Sequence, residues 1–335
     1  MDKITIIGDI MCEPLLLKAA YHNGTYDFSQ VFAKIKERFA ESDYVIGNLE
    51  TPLAGSEAVF TDSLFVFNTP DEFADALKAA GIDFVLTANN HCLDRGIAGL
   101  ERTLRVLDDK EIPHTGTYLN KPDDGNAYVT VGDTRVAIIS YTYGTNYAAN
   151  RLMLSENESY KVNLLRPQPE LYFVPQKSKR TLKQRVIWKF LRMFPEEKQY
   201  YVKKYLGMRV NVAHADDHLN KDTAAPYMEK MQKDIGAAKS KADLVLFCPH
   251  IGGQFNAEPG AFSEYVFEEA SKAGCDAIVA SHAHVVLKTD KINGIPSFYS
   301  LGNFSMSPNS VYLVRDQKPE YGHCQFKGRY LLAVR

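Results

Sequence analysis

The chain has 335 residues, 45% of them hydrophobic and 24% charged, with a net charge of −2. These values exclude a fibrous or disordered protein and give no global basis for nucleic-acid binding. At roughly 150 residues per domain, the length fits two domains or one large α/β domain with an insertion.

Apolar runs and amphipathic stretches alternate from the first residues. Strands are predicted at Ile4–Ile7, Tyr44–Ile46, Phe84–Thr87 and Val136–Ile139. Helices are predicted at Gln30–Phe39, at Asp71–Ala80 with Gly81 as its stop, and at Ile97–Leu107. Their apolar spacing buries one face of each. Gly132-Asp133 between two β-rich runs makes 128–142 a hairpin. After residue 221 the alternation resumes. A helix is predicted at Pro226–Lys239, a strand at Leu244–Phe247, a helix at Ala261–Ala273 stopped by Gly274, and strands at Ala277–Val279, Val285–Leu287 and Pro296–Tyr299. Strands that are apolar throughout are buried on both faces, as in α/β folds.

The stretch 151–221 breaks this pattern. It holds 15 Lys/Arg and 7 Asp/Glu, a net of +8, which leaves −10 for the rest of the chain. We therefore read residues 1–335 as a single domain with a basic insertion at about 150–222. Within it, Leu182, Val186, Phe190 and Phe194 recur every four residues, with Lys183, Arg185, Lys189 and Arg192 on the remaining faces. This pattern fits a helix packed by its apolar stripe, or a basic face that binds an anion. A peripheral membrane helix containing Trp188 is a weaker alternative.

The five cysteines, Cys12, Cys92, Cys248, Cys275 and Cys324, form no CxxC pair and suit buried thiols in a reducing compartment. No run of about 18 apolar residues is present, so no transmembrane helix is expected. Asp2-Lys3 is a poor secretory start. The expectation is a cytoplasmic protein, or a membrane-associated or surface one if an anchor lies upstream.

Five strand ends carry polar residues: Asp9, Glu50, Asn90, His250, and the pair His282 and His284. In open α/β sheets the carboxyl ends of strands line the ligand crevice. If the five strands are parallel neighbours, their tips converge. At i and i+2 on an extended segment, the rings of His282 and His284 point to one side. Imidazole, carboxylate and amide donors suit Mn, Fe or Zn rather than a thiolate site. These donors are too many for one tetrahedral ion, so two divalent ions are expected. A pair about 3.5–4 Å apart generates hydroxide at neutral pH and clamps the oxygens of an in-line displacement.

The motifs Gly8-Asp9-Ile10-Met11, Gly47-Asn48-Leu49-Glu50, Asn89-Asn90-His91-Cys92-Leu93-Asp94, His250, His282-Ala283-His284 and Ser300-Leu301-Gly302-Asn303-Phe304 resemble, in order, the CapA family. These are poly-γ-glutamate capsule-synthesis proteins, a branch of the calcineurin-like metallophosphoesterases. The resemblance covers most of the chain apart from the basic insertion and the C-terminal tail. It implies an α/β fold, a four-layer α/β/β/α sandwich with metals between the edges of two sheets. It also implies that Asp9 and His284 hold one ion, that Asn90, His250 and His282 hold the other, and that Glu50 bridges. His91 would face substrate as a proton donor or charge stabiliser, Asp94 would orient its ring, and Asn303 is a further candidate near the substrate. Met11 stands where the wider superfamily has a histidine ligand, and Glu50 where it usually has Asp. The Asp9 site is therefore expected to be the weaker one.

Several functional readings remain open at this stage. One is a hydrolase attacking a phosphoester with His91 assisting, and a related one cleaves a γ-glutamyl amide. Another is an assembly protein that binds a polyanionic polymer with little or no turnover, beside other capsule-synthesis proteins. In each the partner is anionic, a phosphoester or poly-γ-glutamate. Lys183, Arg185, Lys189 and Arg192 would flank the pocket and draw that partner in. No GxxxxGK[ST] loop is present, which argues against an ATP-driven ligase.

Overall fold

A computed structural model describes residues 2–62, 66–168, 182–194, 196–208 and 215–306. In chain order, β1 (Ile4–Ile10) is followed by α1 (Pro14–Ala20), the small hairpin of β2 (Tyr21–His22) and β3 (Thr25–Tyr26), and two single-turn helices, α2 (Ser29–Phe32) and α3 (Lys36–Phe39). Next come β4 (Tyr44–Leu49), α4 (Glu72–Ala80), β5 (Phe84–Leu86), α5 (Gly96–Asp109) and β6 (His114–Thr115). The hairpin of β7 (Asn126–Val131) and β8 (Thr134–Thr142) precedes α6 (Tyr147–Asn150), α7 (Leu182–Leu191), α8 (Glu196–Tyr205) and α9 (Lys221–Lys239). The rest is β9 (Leu244–Ile251), α10 (Ala261–Ala273), β10 (Ala277–Val279), β11 (Ser281–His282), β12 (Thr289–Ile292), β13 (Ile295–Phe298) and β14 (Asn303–Ser305).

Two sheets result. The first has the order β14-β1-β4-β5-β6 and is parallel throughout. The second has the order β12-β13-β10-β9-β8-β7 and is parallel in its centre, with an antiparallel strand at each edge. Three apolar layers separate four layers of structure. Ile6, Ile46 and Phe84 of the first sheet meet Ile138, Leu246 and Val279 of the second. Phe73 and Leu77 of α4 cover the outer face of the first sheet through Val45 and Val85. Met231 and Ile235 of α9, with Val266 and Phe267 of α10, cover the second through Ile139, Val245 and Phe247. This is the expected α/β/β/α sandwich, and it explains why its central strands are apolar on both faces.

Gly81 and Gly274 end α4 and α10 in the left-handed conformation, at φ 92° and 96°. That is the usual glycine stop of a helix. Elsewhere the elements depart from the sequence reading. The helix expected at Gln30–Phe39 divides into α2 and α3, because Ile35 N–H bonds to Phe32 O, one residue short of α-helical register. The helix expected from Pro226 begins five residues earlier: Asn220 caps it by accepting from the N–H groups of Asp222 and Thr223, and the proline lies inside. Residues 285–287 are no strand and form only an isolated bridge, Val286 to Leu301. The strand β12 was not anticipated, although Asn293-Gly294 between it and β13 is a strong hairpin signal. Cys12, Cys92, Cys248 and Cys275 are buried free thiols, while Cys324 lies outside the described residues.

Candidate metal centre

The five polar strand ends do not belong to one sheet. Asp9 lies near the end of β1, and Glu50 and Asn90 follow β4 and β5, all of the first sheet; His250 and His282 belong to β9 and β11 of the second. They meet because the carboxyl ends of the two sheets face one another, and the His282 N–H donates to Asp9 Oδ2 at 3.1 Å. Asp9, Glu50, Asn90, His250, His282 and His284 are all buried, none more than 7% exposed. His282 and His284 do not converge through strand alternation. Their φ values are 101° and 56°, a left-handed backbone that non-glycine residues adopt at a cost and that concentrates at functional sites.

Two groups of donors stand out. The ligand atoms of Glu50, His250 and His282 lie within 4.8 Å of one another, as do those of Asp9, Glu50 and His284. Glu50 is common to both. Its two carboxylate oxygens are buried and have no hydrogen-bond partner, with His250 Nε2 at 3.3 Å and His284 Nε2 at 3.9 Å from Oε1. A buried carboxylate without donors is costly unless a cation compensates it. Asn90 joins the first group, its Oδ1 lying 2.7 Å from His250 Nε2. The donor set, its burial and the orphaned Glu50 oxygens fit two divalent ions.

The electrostatics run the same way. Burial pushes the Asp9 carboxyl up, but the His284 hydrogen bond, the charges of His250 and His284 and the Asn48 amide outweigh it and hold the group at about 2. Burial works against a charged His284 ring, yet the Glu50 charge and the Asp9 contact lift it to about 9. Asp9 Oδ2 and His284 Nδ1 are 3.4 Å apart.

His91 stands beside the donors without joining them. Its Nδ1–H donates to Asp94 Oδ2 at 2.6 Å, and its Nε2 is 4.0 Å from Glu50 Oε1. The Phe67 ring lies against it at 4.4 Å, and the Phe67 N–H donates to the same Asp94 oxygen at 2.7 Å. Burial lowers the basicity of His91, but the charge and hydrogen bond of Asp94 and the charge of Glu50 outweigh it and raise its pKa. Asn303 Oδ1 is 2.8 Å from His284 Nδ1, which places this residue against a ring of the second donor group.

Sequence reasoning passed over three further residues. Asn48 Nδ2 donates to Asp9 Oδ1 at 2.8 Å and lies 3.2 Å from His250 Nδ1, tying the two sheets together. Ser281 Oγ is 2.9 Å from that same His250 nitrogen. Asn146, at φ 52° in the loop after β8, accepts from Asn90 Nδ2 at 3.0 Å. Asn48 stood inside a quoted motif; Asn146 and Ser281 carried no signal of their own.

Lys189 on α7 and Arg192 just after it lie exposed, and among the described residues no hydrogen bond or ion pair joins them to the centre. The side chains of Lys183 and Arg185 lie outside the described residues. The stripe of α7 is not packed as expected either. Leu191 is fully buried, whereas Val186 and Phe190 are exposed.

A family model described as "Bacterial capsule synthesis protein PGA_cap" matches residues 3–307. The chain is 24% identical over 305 residues to the PGA biosynthesis protein CapA of Bacillus subtilis (strain 168), covering 90% of this chain and 62% of that protein. It is 24% identical over 305 residues to the capsule biosynthesis protein CapA of Bacillus anthracis, covering 90% of this chain and 59% of that one. The chain thus spans about three fifths of the length of these relatives. Among solved structures, a putative 5'-nucleotidase from Staphylococcus aureus is similar with a TM-score of 0.42 and 15% identity, over 88% of this chain and 48% of that one.

Proposed function

The chain belongs to the bacterial capsule synthesis protein family PGA_cap, and from that premise we propose that its buried centre holds two divalent ions and hydrolyses a phosphoester in an anionic substrate. The observation that carries this reading is Glu50, a buried carboxylate with no hydrogen bond, shared by two donor groups. Asp9 and His284 would hold one ion, Asn90, His250 and His282 the other, with Glu50 between them. Imidazole, carboxylate and amide oxygen suit Mn, Fe or Zn. When bound, such ions supply Lewis acidity to a phosphoryl oxygen.

The protein's own groups do the rest. His91 keeps a proton on Nδ1 through Asp94, so its Nε2 is left to face substrate. The charge and hydrogen bond of Asp94 raise the pKa of the ring, which favours the form able to donate a proton from Nε2 to the leaving oxygen. Phe67 covers the ring and fixes the Asp94 oxygen that orients it. Asn48 and Asn146 hold Asp9 and Asn90 in place by hydrogen bonds. The depth of the donors, all 7% exposed or less, favours a second reading: a centre that organises a polymer-binding protein with little turnover.

Metal content and turnover separate the two. Elemental analysis before and after mild chelation is expected to give two ions, then about one, retained by Asn90, His250 and His282; the Asp9 site, with Met11 beside it, empties first. With Mn, Fe or Zn added, generic phosphodiester and phosphomonoester substrates are expected to turn over, and His91→Ala to stop that. Metal without turnover leaves the binding reading. Absence of metal at every concentration overturns both.

A further inference from the structure

We propose that α7 is a lipid-contact helix, which seats the basic insertion on the headgroups of an anionic bilayer. The inference rests on the surface of α7 and does not depend on the metal centre. Val186, Phe190 and Met193 are 64%, 45% and 79% exposed. Val186, Phe190 and the exposed Lys189 fall within about 100° of one face of α7. Arg192, also exposed, and Met193 follow in the turn directly after the helix. α8, which packs against α7, adds Tyr201, Tyr205 and Leu206, all exposed. Trp188 is half-buried, with Lys203 Nζ over its ring at 5.2 Å. Contiguous apolar exposure of this kind marks an interaction surface.

The chemistry of the face selects the partner. A soluble polyanion would answer Lys189 and Arg192 but leave Val186, Phe190 and Met193 in water. A second copy meeting this face across a two-fold axis would set the same cations against one another. Anionic headgroups over acyl chains answer both: the apolar side chains enter the boundary and the cations stay at phosphate level. Tyrosine, apolar in body and polar at the tip, suits the same depth at Tyr201 and Tyr205. By sequence the stretch 151–221 carries +8 and the rest of the chain −10, so the attraction to an anionic surface falls on the stretch that contains α7.

The full chain is mixed with vesicles of phosphatidylcholine alone, or of phosphatidylcholine with phosphatidylglycerol. Co-sedimentation is expected only with the anionic vesicles, falling as salt rises. Phe190→Ser with Met193→Ser, and separately Lys189→Glu with Arg192→Glu, are each expected to weaken that binding at least tenfold while circular dichroism stays unchanged. The proposal is overturned if the unaltered protein ignores anionic vesicles, or if either double variant binds them as before. It is also overturned if the serine variant lowers the particle mass in light scattering without vesicles, which assigns the face to a second copy. Free poly-γ-glutamate held through Lys189 and Arg192, with vesicles ignored, assigns it to a polymer instead.

Discussion

Glu50 Oε1 lies 3.3 Å from His250 Nε2, and neither oxygen of this fully buried carboxylate accepts a hydrogen bond. In the metal-free protein the carboxylate therefore has no hydrogen-bond donor, and an ion bound beside it would supply the missing compensation. Glu50→Gln is expected to raise the stability of the chelated protein by about 1–3 kcal/mol, since a buried charge without donors is removed. The same change is expected to reduce ion binding at both sites, and with it the gain of about 2.7 kcal/mol that a ligand at a hundred times its Kd provides. Calorimetry with and without added Zn or Mn checks both signs. A variant that keeps the full metal-dependent gain would remove Glu50 from the centre.

His91 and His282 each stand in a sequence motif beside the centre but differ in what they touch. His91 Nδ1 is engaged by Asp94, whereas His282 Nδ1 is 3.1 Å from His250 Nε2 within a donor group. His91→Ala is expected to leave metal content unchanged and to lower kcat by about 10²–10⁴-fold, the usual worth of a positioned acid or base. His282→Ala is expected to lower metal content first. Asp94→Asn should fall between, keeping metal while weakening the orientation of the ring. Elemental analysis beside steady-state kinetics distinguishes the three, and equal metal loss in His91→Ala and His282→Ala would refute these roles.

The donors were legible because each follows an apolar run: Asp9 after Ile4–Ile7, His250 after Leu244–Phe247, His282 after Ala277–Val279. Such a run reports burial on both faces but not which sheet it enters. The division of the donors between two sheets was therefore invisible, as was the Asn48 amide that bridges Asp9 and His250 across them. Asn146 and Ser281 act only through contacts with residues far along the chain. The backbone of His282 and His284 is set by packing at the sheet edge rather than by local propensity, so the extended geometry expected there was wrong. On α7 the periodic stripe predicted a helix but not which of its sides meets the protein. Periodicity shows that a face is apolar, not what covers it.

Asp9 and His284 give the metal-free protein a defined pH window. Asp9 is held at about 2 instead of 3.8. Its contribution is present above 3.8 and is lost as pH falls toward 2. His284 is raised from 6.5 to about 9. Its contribution is complete below 6.5 and is lost as pH rises through 9. Together they predict highest stability of the chelated protein between about pH 4 and 6.5 from these groups. Urea unfolding across that range and up to about pH 9.5 should show an alkaline decline of at least about 1 kcal/mol, flattened in His284→Gln. An unchanged decline in that variant would assign it to other groups.

Gly8 sets Asp9 in position through backbone contact. The β1–β4 register shifts between Ile7 and Asp9, at this residue. A Cβ on Gly8 would lie 1.9 Å from the carbonyl oxygen of Gly302 and 3.0 Å from its carbon. Both are main-chain atoms, so no rotamer change relieves the contact. The next N–H, that of Asp9, donates to the same Gly302 oxygen at 3.0 Å, and Asn303 beside it meets His284. Gly8→Ala must therefore push β1 from the 302–303 turn and move Asp9 and His284 apart. The expected cost is about 1–3 kcal/mol in urea unfolding, the range for overpacking a dense interior. The ion held by Asp9, Glu50 and His284 should weaken first, leaving the one at Asn90, His250 and His282. Gly47→Ala serves as the comparison, because its Cβ would meet the side chains of Ile10 and Ile7 instead of main chain. It should destabilise the fold and spare the stoichiometry. Two ions bound at unaltered affinity in Gly8→Ala would show that this close approach does not position Asp9.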